Sequence, residues 1–488
     1  MNSNNSGGSL RAGVAKSDIT TSQEGALIND PLYAKALVLD DGTNKVVIIA
    51  MDALAIGVIG DIKEDFLPKL RSRIEQELQI PGCHVLVNAS HTHPPGRLLC
   101  DDDEQVDRTF DAVRRALQNM TEVKVGSGVG YEDRIMINRN LTLKNGKHWS
   151  IRYANPCPPD EEVAAVGPTD PDIGVIRIDR MDGQPFAVLY NFACHPLIGV
   201  PQRAVTANYP GFASKVIEET LGNDAMALFL QGAAGDVIEV LFKDVNRSRD
   251  SEPIGTMLGI STLNAIRDIE TKDAKLSIIS ETIMLPRRTD IPQRIEALLE
   301  EQTRLLESLR TTCLNIKTFL PLYIKYALNP EYPSDYSYRY LQAEKIGDDA
   351  LTTLDTENRN NLNKYLENIH TMERLTRIQE NIVTLNFHKA MNDKADNAMM
   401  PAEVIGIKIG DCVLISAPAE VLVEVGLNVK KASPYKHTFM AAYSNGFLDY
   451  APPVAQYDKG GYEVVECHLG PEWQQLYEEK ADEIIRKL

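Results

Sequence analysis

No uninterrupted apolar run in this chain approaches the ~20 residues that cross a bilayer, which excludes a helical membrane span. Positive charge is also scarce: 51 Lys and Arg stand against 69 Asp and Glu, a formal charge of −18 that argues against non-specific nucleic-acid binding. The opening Met1-Asn2-Ser3-Asn4-Asn5-Ser6-Gly7-Gly8 has neither a basic n-region nor an apolar h-region. The chain as it stands is therefore expected in the cytoplasm, with secretion of a longer precursor left open. Its seven cysteines, Cys83, Cys100, Cys157, Cys194, Cys313, Cys412 and Cys467, form no CxxC pair. An odd, scattered set favours reduced thiols over a disulfide frame. No Gly-x-Ser-x-Gly nucleophile elbow is present, and Gly126-Ser127-Gly128-Val129-Gly130 departs from dinucleotide-binding spacing.

What is present describes a globular protein with a sizeable core. Hydrophobic residues make up 43% and charged residues 25%, values that argue against extended disorder. Short, β-branched, nearly continuous apolar runs at 45–50, 84–87, 174–178 and 187–190 suit strands buried on both faces. They alternate with helical stretches, such as one from about Asp61 to Leu78 with Leu67, Leu70, Ile74 and Leu78 at helical spacing and Pro81-Gly82 after it. The pattern predicts an α/β fold with mixed or parallel sheets layered with helices. Between about 292 and 396 the period becomes helical, through Leu298, Leu299, Leu305 and Leu306 and again through Leu362, Leu366, Ile369 and Leu375. This stretch is expected to be a helical insertion, either a hairpin packed on the core or a lid or dimerisation arm. Its tyrosine-rich segment, Tyr332 to Tyr340, would on the second reading stack on a planar ligand. Strand-like runs return at 404–409 and 413–416.

Four residues of metal-ligand type sit inside distinct local signatures. They are His91 in Ser90-His91-Thr92-His93-Pro94, His195 in Cys194-His195-Pro196, Glu420 in Ala417-Pro418-Ala419-Glu420, and Tyr450 in Gly446-Phe447-Leu448-Asp449-Tyr450. Two imidazoles, a carboxylate and a phenolate would suit a catalytic zinc that keeps a position open for water. His91 and His195 each fall just beyond a strand-like run, where open α/β sheets place their sites. Each residue also has a plain structural reading: packed histidines, a helix N-terminal carboxylate for Glu420, and an aromatic on the proline turn for Tyr450. Adjacent strand residues point to opposite faces, so Cys194 is expected to pack into the core if His195 faces a metal.

The ordered set resembles the neutral, non-lysosomal ceramidases. The resemblance continues in Gly13-Val14-Ala15-Lys16-Ser17-Asp18-Ile19-Thr20, Asp52, Asn138-Arg139, Asn208-Tyr209-Pro210-Gly211, Gly232-Ala233-Ala234-Gly235-Asp236 and Tyr462-Glu463, with a gap near the middle of the chain. It implies one Zn2+ per chain on His91, His195, Glu420 and Tyr450, with Arg139 and Tyr462 lining the reaction centre. One position departs from the family: a serine follows Gly-Asp-Val or Gly-Asp-Met there, whereas this chain has Ile238 after Gly235-Asp236-Val237. Isoleucine neither attacks a carbonyl nor donates a hydrogen bond, so the resemblance implies a divergent member that is not a true ceramidase.

The expectation that follows is a single ceramidase-like catalytic domain over 1–488, without the C-terminal β-sandwich of full-length ceramidases. It would be a zinc-dependent hydrolase that cleaves an N-acyl amide with a metal-bound hydroxide and therefore needs no serine. His93 and Asp236 are the candidate bases, and Arg139 and Tyr462 the oxyanion donors. Alternatives are an ester or glycoside hydrolase acting on a polar or sugar substrate, and a metal-binding homologue without turnover. The expected partner is a small-molecule substrate, with no nucleic acid and no membrane span; a homo-oligomer formed through the insertion stays open.

Overall fold

The computed structural model describes residues 9–93, 96–152, 157–241, 244, 246–333, 337–395 and 397–488. It divides into two compact units, one made of Met1–Arg288 with Asp396–Leu488 and the other of Thr289–Ala395. Among the described residues no helix is long and apolar enough to cross a membrane.

The larger unit is built on an eight-stranded mixed sheet. Its strands are β1 (Arg11–Asp18), β2 (Tyr33–Asp40), β3 (Lys45–Met51), β4 (Val85–Ala89), β5 (Thr121–Tyr131), β6 (Asp172–Arg180), β7 (Pro185–Phe192) and β8 (Met226–Gln231). The order is β8-β7-β6-β5-β1-β2-β3-β4. The two outer pairs, β7 with β8 and β3 with β4, are parallel and the inner pairs antiparallel. A second sheet joins β9 (Leu276–Pro286), β10 (Met399–Ile409), β11 (Cys412–Ser416) and β12 (His437–Ala441), with β11 parallel to β12. The fold is α/β with mixed sheets, in which antiparallel pairing prevails.

Strand alternation sorts the side chains into layers. Leu37, Leu39, Val46, Ile48 and Leu86 leave one face of the large sheet to meet Ile405, Ile407, Leu414 and Phe439 of the second sheet. Ala34, Ala36, Val38, Val47, Ile49 and Val87 leave the other, toward α1 (Phe66–Leu78) and α2 (Asp102–Gln118). Burial on both faces explains why these strands are almost continuously apolar. The helix expected from Asp61 begins only at Phe66, because the Asp61 carboxylate accepts the Leu98 and Leu99 amides at 2.6 and 3.0 Å and ties its segment to that loop. Next, α3 (Asn208–Leu221) and α4 (Glu252–Arg267) cover the β6–β8 end. The glycines of β5 serve packing: a Cβ on Gly126 would stand 2.2 Å from the Glu270 carbonyl oxygen.

The smaller unit is helical, with α5 (Ile291–Ser308), α6 (Ile316–Leu328), α7 (Tyr338–Ile346) and the 45-residue α8 (Ala350–Lys394). Two of its tyrosines are committed internally. The Tyr326 and Tyr340 hydroxyls donate to the two oxygens of Asp355 at 2.6 and 2.7 Å. Tyr336 lies outside the described residues. Back in the larger unit, α9 (Val423–Ala432) and α10 (Trp473–Lys487) close the second sheet.

Candidate metal centre

The ends of parallel strands deliver the predicted residues to one place. His91 follows β4, His195 follows β7, the Gly232–Asp236 turn follows β8, Glu420 follows β11, and Tyr450 lies in the chain after β12. Glu420 and Tyr450 are register partners in a two-residue parallel pairing, so their positions are fixed against each other. Glu420 thus sits in extended backbone before α9 rather than at a helix N-terminus.

Both histidines are wholly buried and held by the same device. His91 Nδ1 lies 2.7 Å from the Leu54 carbonyl oxygen, and His195 Nδ1 lies 2.5 Å from that of Ala234. A ring N–H donating to a carbonyl fixes the tautomer and leaves an Nε2 lone pair. These lone pairs meet the Glu420 carboxylate, with His91 Nε2 at 3.3 Å and His195 Nε2 at 3.0 Å from its Oε2. His93 Nε2 comes within 2.9 Å of His91 Nε2. Burial pushes the His195 imidazole down to about 4, and Arg139 and His91 add to this against the Glu420 bond. Burial would raise the Glu420 carboxyl, but His91 and His195 together hold it well below the carboxylate range. Two imidazole nitrogens and a carboxylate oxygen therefore converge. These are the donor types of a cation site.

Polar groups surround these donors. The Tyr450 ring stacks beside His195 at 6.5 Å between centroids, and its hydroxyl accepts from Arg139 Nη2 at 3.0 Å. The buried Arg139 also donates to Glu463 at 2.6 Å and to the Gly235 carbonyl at 2.7 Å. Among the described residues its Nη1 has no hydrogen bond. Tyr462 packs edge-on to Tyr450 at 5.3 Å, under the Arg152 guanidinium at 3.8 Å, and burial raises its phenol above the ordinary range. His93 is exposed to solvent while its imidazole reaches the cluster, and burial of the ring with repulsion from His91 and His195 holds it neutral.

Asp236 is a brace. One carboxylate oxygen accepts the Val423 amide at 2.9 Å and the other accepts Asn138 Nδ2 at 2.7 Å, which fits the turn-stabilising alternative. Gly235 is required beside it, because a Cβ there would stand 2.6 Å from the Glu420 carbonyl oxygen. Ile238 is buried and its backbone bridges that of His195. Cys194 packs in the core, where Tyr209 of the Asn-Tyr-Pro-Gly segment donates to its carbonyl at 2.5 Å. Pro94 lies outside the described residues.

One neighbour went unmarked in the sequence. The buried Tyr443 lays its ring 4.4 Å from that of His91 and turns its hydroxyl to 3.5 Å from Glu420 Oε2. His91, Tyr443, Asn445 and Asp449 all have φ between +55° and +64°, a strained conformation for non-glycine residues that clusters at functional sites.

The fold of this chain is that of two solved ceramidases. A solved ceramidase complexed with C2 matches with a TM-score of 0.62 at 15% identity, over 98% of this chain and 75% of that one. The neutral ceramidase from Pseudomonas aeruginosa matches with a TM-score of 0.60 at 16% identity, over 98% and 74%. No family model and no curated protein matches the sequence. The likeness carried by the ordered motifs thus holds for the fold along nearly the whole chain.

Proposed function

We propose that this protein is a zinc-dependent hydrolase that cleaves an N-acyl amide bond, with His91, His195, Glu420 and Tyr450 as the metal ligands. The observation that carries this reading is the approach of two buried imidazole nitrogens to 3.3 and 3.0 Å from one carboxylate oxygen. Zinc bound there would polarise the amide carbonyl and lower the pKa of water toward ~7. The chain supplies the rest. His93, neutral and at the solvent side, takes a proton from the attacking water and returns it to the departing amine. Arg139 keeps its charge, pinned by Glu463, and with the protonated Tyr462 hydroxyl stabilises the oxyanion as the carbonyl becomes tetrahedral. Tyr443 holds Glu420 and the His91 ring in place. No serine is needed, so Ile238 is compatible with turnover.

The test is metal content by elemental mass spectrometry on protein purified without added metal, beside His91→Ala and His195→Ala, followed by a panel of N-acyl amides. The expected result is about one zinc per chain, lost in both variants, with amide cleavage that a chelator abolishes and zinc restores. Protein that carries no metal and takes up none at neutral pH would refute the proposal.

A further inference from the structure

A cavity of about 480 Å³ lies beside the ends of β3 and β4, under α3, within the size range of small-molecule sites. It adjoins the metal centre through Ser90, the residue before His91, yet neither His91 nor His195 lines it. Three lysines and four carboxylates line it, and the lysines are drawn to carboxylates other than Asp30, Asp52 and Glu252. Lys35 binds Glu218 at 2.7 Å, Lys16 reaches the same carboxylate at 3.6 Å, and Lys215 faces Glu219 at 4.0 Å. Asp30, Asp52 and Glu252 also face the cavity, and among the described residues none of them has a salt bridge. Asp52 Oδ2 accepts the Tyr33 amide at 2.9 Å, and among the described residues Oδ1 has no partner. Ser90 is 3% exposed and its hydroxyl lacks a hydrogen-bond partner. A buried unpaired hydroxyl costs ~1–3 kcal/mol, which a ligand hydroxyl would recover. Burial pushes the Asp52 carboxyl up to about 7 against the attraction of the Lys35 ammonium. Met51, Phe212 and Phe229 supply an apolar wall.

We propose that this cavity binds a small polyhydroxylated primary amine, such as an amino sugar or amino alcohol, with its ammonium on Asp52 and a hydroxyl on Ser90. The unpaired carboxylates select a cation, the free hydroxyl selects a polar neighbour to it, and the apolar wall takes the carbon face. Metal chemistry at His91 and His195 is not required for this, so loss of metal leaves the site intact.

The test is isothermal titration calorimetry on the full-length protein as isolated, with glucosamine, glucose and glucuronate as probes of equal size and different charge. Glucosamine should bind saturably at 1:1, at least about tenfold tighter than glucose or glucuronate. Asp52→Asn should weaken it by about tenfold or more, and Asp52→Glu should stay within about tenfold of the wild type. Absence of saturable glucosamine binding overturns the proposal, as does equal affinity for the three sugars or tighter glucuronate binding. Equal binding in Asp52→Asn, or a loss in Asp52→Glu as severe as in Asp52→Asn, overturns it too. Should the Asp52→Asn variant fail to fold, the three-sugar comparison on wild-type protein decides.

Discussion

Glu239 offers a sharp test of the electrostatics around the His195 loop. It is wholly buried at the end of the short strand Val237–Glu239, and its Oε1 accepts the Leu197 and Ile198 amides at 2.7 and 3.1 Å. Among the described residues its Oε2 has no hydrogen-bond partner. Burial raises the carboxyl from 4.5 to about 7 despite the two amide bonds. A folded-state pKa above the unfolded one means that the native state holds the proton more tightly. The stabilisation is complete below about pH 4.5 and is lost as pH rises through 7. A difference of 2.5 units at 1.36 kcal/mol each amounts to about 3 kcal/mol. Glu239→Gln keeps the acceptor for both amides and cannot ionise. Asp52 and Asp236, raised to about 7 and about 6, contribute equally in variant and wild type and cancel in the difference. The variant should match the wild type within about 1 kcal/mol at pH 5 and exceed it by about 3 kcal/mol at pH 8.5. With ~2.1 cal/mol/K of unfolding entropy per residue over 488 residues, that gain raises the thermal midpoint by about 3 °C. Calorimetric melts of both proteins at both pH values give the comparison, and a difference that does not change with pH would refute the argument.

Other outcomes follow from the same contacts. Arg139→Met strands the Glu463 carboxylate in the interior and should destabilise the protein by ~3–5 kcal/mol, with most of the loss recovered in the double variant with Glu463→Gln; urea titrations of the three proteins measure this. Gly235→Ala forces a methyl against the Glu420 carbonyl and should weaken metal binding by about tenfold or more in chelator competition, whereas wild-type affinity would count against Glu420 as a ligand. Ile238→Ser removes a buried side chain and introduces a hydroxyl beside the His195 backbone, at a cost of ~2–4 kcal/mol in the same denaturation assay. If catalysis runs without a serine, this variant gains no amide-hydrolysing activity, and a clear increase in kcat would show that the serine position still governs the chemistry.

The strand runs at 45–50, 84–87 and 187–190 were legible because strands buried on both faces must be apolar at nearly every position, and the helical unit from 289 to 395 announced itself by its period. The candidate donors His91, His195, Glu420 and Tyr450 stood out because each lies in a short motif that fixes residue type and order. Pairing direction was not legible: an apolar run looks the same in a parallel or an antiparallel sheet, and the antiparallel interior of the large sheet appears only once partners are known. The start of α1 moved because Asp61 bonds to amides some 37 residues away, which no local pattern records. Residue identity and periodicity, written in the sequence, thus settled the fold class and the kinds of atoms at the candidate centre. Convergence belonged to the tertiary structure alone. The parallel ends of β4, β7 and β11 and the pairing of Glu420 with Tyr450 bring together groups from position 91 to 462, and burial at that junction sets their protonation, enlists Tyr443 and turns Asp236 into a brace. Distance and dielectric are properties of the folded chain, and they decide what chemistry those atoms can do.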